Sequence, residues 1–519
     1  MNNIVIITVD QLAFRALSAC AGAQESGAGF EATYPTIDSF FRDGTFFDRA
    51  YTPCPLCMPA RAAFWTSSWP HQTGVLSNGK KFEQGDVPPA LPTLGEAFSG
   101  AGWKTIHFGK EHDAGALRGF ERVPEKEREV DPEPGYPVNQ DTFRDRATTD
   151  QAVDYFAARA RADDGRQGSA QPLLAVVELN NPHNICGWVG EMARHVSGSN
   201  TDFIPPPDGR RTPAFPPAIG TDELPPLPPN FHDADFATRP RSVQYQCCAH
   251  NRLAQTQDWG EREFRLYLDA YRHYTSRADA EIARVLDAAR AALPDDDTLY
   301  VFFSDHGDAI TAHRAVTKHT TFYDETTRVP LAFVGPGIES RRRVEGPVSL
   351  LDLAPTLLDL AAIGAGSENG EPEAVARLRA SAQGRSLAPL LTGSSPAEAP
   401  AAGRGVADGP RYVASEWHTE WGFTIEPGRM LTDGRFKYTV YAEGGDEELY
   451  DLEADAYETR NLVADAAAAG ELDRMRAALA EHIRATDDPF EELEHVADPR
   501  WRSHEPGYAN HRGPAAPQV

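Results

Sequence analysis

The chain has 519 residues, of which 41% are hydrophobic and 24% charged. That is the make-up of an ordinary globular enzyme, at a length that favours two domains over one. A formal net charge of −27 argues against nucleic acid or an anionic membrane as partner, because the long-range field repels both. It does not exclude a small anionic substrate, since a local cluster of Lys, Arg, His and a cation can reverse the field inside a cleft. No apolar run reaches the length that spans a bilayer.

The N-terminus, Met1-Asn2-Asn3-Ile4-Val5-Ile6-Ile7-Thr8-Val9-Asp10, lacks a basic stretch and a small-residue cleavage site. It reads as a first strand over 3–9 and not as a signal peptide, so the expected location is cytoplasmic. Asp10 ends that strand and Gln11 follows it. Next comes Cys57-Met58-Pro59-Ala60-Arg61, running into Ala62-Ala63-Phe64-Trp65-Thr66-Ser67 and then Pro70-His71-Gln72-Thr73-Gly74-Val75. This reads as a Pro-initiated helix followed by a turn. Cys54 and Cys57 form a C-x-x-C, which alone suggests a redox pair or half a zinc site, but no second C-x-x-C exists to complete one. The six Cys residues (20, 54, 57, 186, 247 and 248) have no disulfide-framework spacing. Cys247-Cys248 read as buried thiols.

A helix is expected over 92–101, and Thr105-Ile106-His107-Phe108-Gly109-Lys110-Glu111-His112 follows it. A buried strand over 173–179 leads into Asn180-Asn181-Pro182-His183-Asn184. Residues 204–229 hold four runs of consecutive prolines, which forbids regular structure and reads as an insertion loop wrapping the main domain. The strongest helix is 261–292, with Phe264, Leu268, Tyr271, Ile282, Val285 and Leu286 on one face. A strand over 298–304 ends in Ser304-Asp305-His306-Gly307-Asp308, and Lys318 precedes a strand over 329–334. The run Arg341-Arg342-Arg343 reads as a solvated loop, and 351–362 as a helix. Short buried strands alternating with helices imply an α/β sandwich around a mainly parallel sheet.

A linker-like composition over about 393–410 separates a smaller α+β domain. It carries paired strands at 435–441 and 448–452 and a terminal helix over 471–485. The expected organisation is a catalytic α/β domain over 1–395, a C-terminal α+β domain over 411–485, and an extended tail over 486–519. The tail is either disordered or an arm that grips a neighbouring copy in a homo-oligomer. Trp188, Trp417 and Trp421 form either a sugar-stacking wall or core.

In an open parallel sheet the strand C-termini converge on one edge, where ligands bind. Asp10 alone is equally well read as a helix N-cap. Together with Asp305-His306, delivered to a second strand end, it makes a cation site of oxygen-rich donors. Such a site suits calcium, magnesium or manganese.

The Cys57-x-Pro59-x-Arg61 motif, with the helix and Pro-His-x-Thr-Gly turn that follow, resembles the signature of the type I sulfatases. These belong to the alkaline phosphatase superfamily, so the resemblance implies that superfamily's α/β fold. In this family the Cys is oxidised to Cα-formylglycine by a formylglycine-generating enzyme, and the hydrated aldehyde is the nucleophile. Asp10, Asp305 and His306 match the family's metal ligands, with residue 57 completing the set around one divalent ion, calcium first. Many sulfatases have a second Asp where this chain has Gln11. Gln11 still offers an amide oxygen to the metal, and Asp-Gln is reminiscent of the phosphonate monoester hydrolases, close relatives that also use formylglycine.

The segment around Lys110 and His112 resembles the family's Gly-Lys-x-His. It implies Lys110 on the nucleophile and sulfate oxygens, and His112 on the formylglycine hydroxyl. Asn181-Pro182-His183 resembles the family's Pro-His, which implies His183 near the leaving group. Lys318, with Arg328-Val329-Pro330-Leu331 downstream, matches the Lys on the substrate oxyanion, and Arg61 the Arg that holds the hydrated nucleophile. Leu449-Tyr450-Asp451-Leu452 and Glu458-Thr459-Arg460-Asn461-Leu462 match the C-terminal signature, so the resemblance spans most of the chain.

The implied reaction is hydrolysis of a small-molecule or sugar sulfate ester; phosphonate monoester or phosphodiester hydrolysis is the alternative. A non-catalytic binding role is the third reading, should Cys57 stay a thiol. The residue types suit the chemistry. Metal, Lys110 and Lys318 neutralise the equatorial oxygens, and His183 protonates the leaving oxygen.

Overall fold

Strand β1 (Asn3–Asp10) is buried along its whole length, and the larger sheet is built outward from it on both sides. The computed structural model describes residues 1–18, 31–78, 85–124 with 126, 134–136, 140–163, 171–197, 214–233 with 239, 252–318, 321–363, 371–393, 411–418, 427–442 and 446–490. The other strands of this sheet are β2 (Thr45–Tyr51), β3 (Lys104–Gly109), β4 (Glu121–Val123), β5 (Leu173–Pro182), β6 (Thr298–Ser304), β7 (Arg328–Val329), β8 (Leu331–Val334) and β9 (Arg342–Ser349). The order is β4-β3-β5-β1-β6-β8-β2-β7, with β9 paired to β2.

The centre of the sheet is parallel: β3 with β5, β5 with β1, and β1 with β6. Strands β7 and β8 run antiparallel to their neighbours. The expected single strand over 329–334 is thus broken in two at Pro330, which has no N–H to give to the ladder. The expected loop at Arg341-Arg342-Arg343 is corrected as well. Arg342 opens β9, which runs parallel to β2, and Arg343 pairs with Asp48 at 2.7 Å.

Alternation along β1 sorts its side chains to two cores. Val5, Ile7 and Val9 pack with the helix Glu261–Ala292, including all six residues of the face read from the sequence. Ile4 and Ile6 pack on the other side with Ala60, Phe64 and Trp65 of the helix Cys57–Thr66, and with the helices Leu94–Gly100 and Leu353–Leu360. The result is a three-layer α/β/α sandwich.

The second sheet is four-stranded and antiparallel: β10 (Val413–Trp417), β11 (Gly428–Thr432), β12 (Phe436–Tyr441) and β13 (Glu447–Asp451). The expected pairing of 435–441 with 448–452 is β12 on β13, with Tyr438 opposite Leu449. The helix Ala469–Thr486 lays Leu472, Met475, Leu479 and Ile483 onto this sheet. Trp69, Ala63 and Leu351 of the larger unit join the same core.

Trp188 and Trp417 are fully buried and belong to packing, not to a sugar-stacking wall. Trp421, Cys20, Cys247, Cys248, the linker 394–410 and the tail beyond 490 lie outside the described residues. Among the described residues no helix is long and apolar enough to cross a membrane.

Candidate active site

Four neighbouring strands, β3, β5, β1 and β6, end side by side, and each delivers chemistry at its C-terminus. Strand β1 ends in Asp10 and Gln11, β6 is followed by Asp305-His306, β3 by Lys110, and β5 by His183. Gly109 turns β3 out of the sheet at φ +98°, and a Cβ there would lie 2.0 Å from the Glu178 carbonyl oxygen. Only glycine fits both constraints, so it is glycine that lets Lys110 enter the site. The His183 turn is anchored from below by buried Asp145. Its carboxylate accepts from the Asn180 and Asn181 backbone N–H groups at 2.5 and 2.9 Å and from both side-chain amides.

Cys57 opens the helix Cys57–Thr66, so its sulfur sits where the free N–H groups and the helix dipole favour an anion. Pro59 stands in the first turn, where its missing N–H costs nothing. The sulfur lies 3.0 Å from Lys318 Nζ, 3.1 Å from His306 Nε2 and 3.7 Å from Asp10 Oδ1. Burial and the Asp10 charge push the thiol pKa up; Lys318, His306 and Lys110 outweigh them and hold it well below its ordinary value. His112 hydrogen-bonds Cys57, and burial keeps the imidazole neutral by lowering its pKa. Lys110 donates to Asp10 Oδ2, and both Lys110 and Lys318 remain charged because neighbouring anions outweigh the cost of burial.

Arg61 lies beneath this floor. Its Nε donates to Asp305 Oδ2 at 3.1 Å, its Nη2 to Asp10 Oδ2 at 3.2 Å, and its Nη1 pairs with Glu178. The structure therefore gathers Asp10, Cys57, Arg61, Lys110, His112, Asp305, His306 and Lys318 in one cluster. His183 follows the end of β5 on the same edge of the sheet.

Gln11 is also present, with its amide turned to Lys318 and Asp308: Oε1 accepts from Lys318 Nζ at 3.3 Å, and Nε2 donates to Asp308 Oδ2 at 2.7 Å. Asn230 is buried, and its amide donates to Glu325 at 3.3 Å and to the Tyr457 carbonyl at 3.1 Å.

Three partners escaped the sequence reading. Glu178 had a signal, being the single acid in a buried apolar strand. Asp308 stood in the Asp305-His306-Gly307 segment without a role. Tyr267 looked like one more core aromatic, yet its hydroxyl binds Asp308 at 2.7 Å.

Asp10, Cys57, Asp305 and His306 each place a ligand atom within 4.8 Å of the others, and all four are fully buried. Burial raises the Asp305 carboxyl pKa, and the Asp10 charge raises it further. His306 Nδ1 donates to the Gly307 carbonyl at 2.8 Å, which turns Nε2 toward the sulfur. Two converging buried carboxylates, an imidazole nitrogen and residue 57 are a donor set that fits a divalent cation of hard character.

A sulfatase family model matches residues 2–363. The Delta 4,5-hexuronate-2-O-sulfatase of Bacteroides thetaiotaomicron is 38% identical, over 100% of this chain and 96% of its own length. Arylsulfatase K of Xenopus laevis is 27% identical over 82% of this chain and 74% of its own. Among solved structures, a 2-O GAG sulfatase superposes with a TM-score of 0.81 at 37% identity, covering 100% of this chain and 99% of that one. The phosphonate monoester hydrolase of Agrobacterium radiobacter, at 21% identity and a TM-score of 0.64 over 93% and 96% of the two chains, shares the fold.

Proposed function

The chain belongs to the sulfatase family and is a sulfuric ester hydrolase, and from that premise we propose that it cleaves sulfate monoesters on a sugar, a 2-O-sulfated hexuronate first. The reading is carried by one observation: Cys57, in its Cys-x-Pro-x-Arg setting, has Lys318 and His306 at 3.0 and 3.1 Å within a single buried cluster. The choice of sugar draws on the 38% identical relative that acts on such a sulfate.

Cys57 is the residue to be converted to formylglycine by a modifying enzyme, and the hydrated aldehyde supplies the in-line nucleophile. Asp10, Asp305, His306 and residue 57 would hold the divalent cation, calcium ahead of magnesium or manganese. When bound, it lends positive charge to the nucleophile and the sulfate oxygens.

The remaining work falls to side chains of this chain. Lys110 and Lys318, both held in the charged form, bind the sulfate oxygens in a buried site, where such contacts are strongest. His183 protonates the leaving sugar oxygen. His112 is neutral because it is buried, so it takes the proton from the hydroxyl of residue 57 that lets sulfate leave. Arg61 favours the charged forms of Asp10 and Asp305 and holds both in place, since one guanidinium bridges them.

A phosphonate monoester or phosphodiester hydrolase on the same scaffold is the second reading, favoured by Gln11 following Asp10. The test is kcat/KM on fully converted enzyme for a Δ4,5-hexuronate-2-O-sulfated disaccharide, an aryl sulfate, a phosphonate monoester and a phosphate diester. The sulfated sugar is expected to lead. A lead for either phosphorus ester overturns the proposal.

A further inference from the structure

Strand β5 loses its partners just before His183. Strand β3 stays in register with it as far as Gly109 opposite Glu178, and β1 as far as Val9 opposite Leu179. Then the register slips: Asp10 stands opposite Pro182, which leaves Asn180 and Asn181 without a counterpart on β1. A slip of this kind re-aims the residues next to it. Here the next side chain past Pro182 is His183.

Asn180 and Asn181 are buried, so their backbone N–H groups need an acceptor in place of the ladder. One carboxylate serves both. Asp145 Oδ1 accepts from the Asn180 N–H at 2.5 Å and from its side-chain amide at 3.2 Å. Its Oδ2 accepts from the Asn181 N–H at 2.9 Å and from that side-chain amide at 2.6 Å. Each residue is gripped at backbone and side chain, through bonds that the negative charge strengthens. The turn then closes on itself: the His183 N–H donates to the Asn180 carbonyl at 3.0 Å, and the His183 carbonyl accepts from the Cys186 N–H at 3.0 Å. Asp145 is buried on the helix Gln140–Asp163, whose Ala152 and Phe156 share a core with Val177 and Leu179 of β5. The grip therefore comes from an element fixed to the strand it holds.

We infer that Asp145 is a positioning residue for His183, holding the slipped Asn180-Asn181 peptides so that the imidazole stands at the strand edge beside the cluster. This rests on the reading in which His183 protonates the leaving oxygen. That oxygen keeps the electron pair of the breaking ester bond, and the proton donor must already stand within hydrogen-bond reach of it. A neutral amide cannot replace the carboxylate. Asn at 145 would turn an NH2 toward one of the two backbone N–H groups, donor against donor.

The test is a double-mutant cycle of Asp145→Asn with His183→Ala, with metal content and thermal unfolding measured on each purified protein. It is run on the sugar ester and the para-nitrophenyl ester of whichever acid the native enzyme turns over faster. On the sugar ester Asp145→Asn should lower kcat/KM by about 10- to 100-fold, the range for a displaced catalytic group. In the His183→Ala background it should cost less than about 2-fold, since a residue acting through His183 has nothing left to aim. On the nitrophenyl ester it should cost less than about 3-fold, because nitrophenolate leaves without a proton. Metal content should be unchanged. An equal loss in both backgrounds, an equal loss on both esters, or loss of the metal overturns the inference. If the native enzyme leaves the nitrophenyl ester untouched, the cycle on the sugar ester decides alone.

Should Asp145→Asn fail to fold, Asn181→Ala replaces it in the same cycle: a loss confined to the native His183 background supports the inference, and an equal loss in both overturns it. His183→Ala by itself separates the two claims. If it costs the sugar ester no more than the nitrophenyl ester, the leaving-group reading fails and takes this inference with it. If His183→Ala splits the two esters and Asp145→Asn does not, this inference alone fails.

Discussion

Lys318 and Cys57 stand 261 positions apart in the chain, yet the ammonium of one lies 3.0 Å from the sulfur of the other in a buried site. That contact joins the loop after β6 to the first residue of the helix that follows β2. It also sets the charge of both groups: the thiol ionises more readily beside the cation, and the cation holds its proton beside the sulfur.

Conversion of Cys57 is the first expectation. Peptide mass analysis of the fragment containing residue 57, from chain made together with a formylglycine-generating enzyme, should find an aldehyde in place of the thiol. Activity should scale with the converted fraction, and Cys57→Ala should have none. Full activity with an unmodified thiol would end the formylglycine reading.

Asp305→Asn should cost both metal and turnover while leaving the fold intact, since the residue stands at a strand end and not in a hydrophobic core. The expected fall in kcat/KM is at least about 100- to 1000-fold, the range for losing a preorganised charge interaction at the transition state. Metal analysis and circular dichroism on the same preparation check it. Native turnover in a metal-free Asp305→Asn protein would refute the ligand assignment.

Lys318→Ala should lower kcat/KM by roughly two orders of magnitude or more, with kcat carrying most of it, because the charge is needed most where the sulfate oxygens gain charge. Steady-state kinetics on the sulfated disaccharide separates the two parameters. A change confined to KM would assign Lys318 to ground-state binding instead.

Stability should depend on pH through His71. Its Nδ1 is 2.8 Å from Glu416 Oε1 and its Nε2 3.0 Å from the Thr486 carbonyl. Both partners accept, so the ring binds as an imidazolium. Burial opposes the charge, but Glu416 outweighs burial, and the pKa is raised above the ordinary 6.5. Asp488, 4.0 Å away, adds to this; Arg429 and His418 also border Glu416.

A raised folded-state pKa means that the stabilisation is complete below about pH 6.5 and fades as pH climbs through the folded value. The Tm difference between the native chain and His71→Gln should therefore be larger at pH 6 than at pH 9. Glu416 acts in the opposite sense, since its pKa is lowered despite burial: its contribution is present above the ordinary carboxylate range and is lost only in acid. A His71→Gln difference that is flat from pH 6 to 9 would mean the imidazolium contributes nothing.

Elements whose signal is local were legible from the residues alone. The buried runs at 3–9, 173–179 and 298–304 could only be central strands, and the 261–292 face could only be a core helix, because period and apolarity are written residue by residue. The edge at which Asp10, Lys110, His183 and Asp305-His306 meet was legible too, since each directly follows or ends a strand of a parallel sheet. What stands behind them took the closed fold to reveal. Glu178 under Arg61, Asp145 under Asn180 and Asn181, and Asp308 with Tyr267 behind Gln11 are buried polar groups whose partners lie tens to hundreds of positions away. No spacing encodes such a pairing. A buried charge must be matched wherever the fold happens to bring a counterpart, so the match exists only once the chain has closed around it. The same reason settled Trp188 and Trp417: an aromatic reads alike in a core or a sugar site until its neighbours are known.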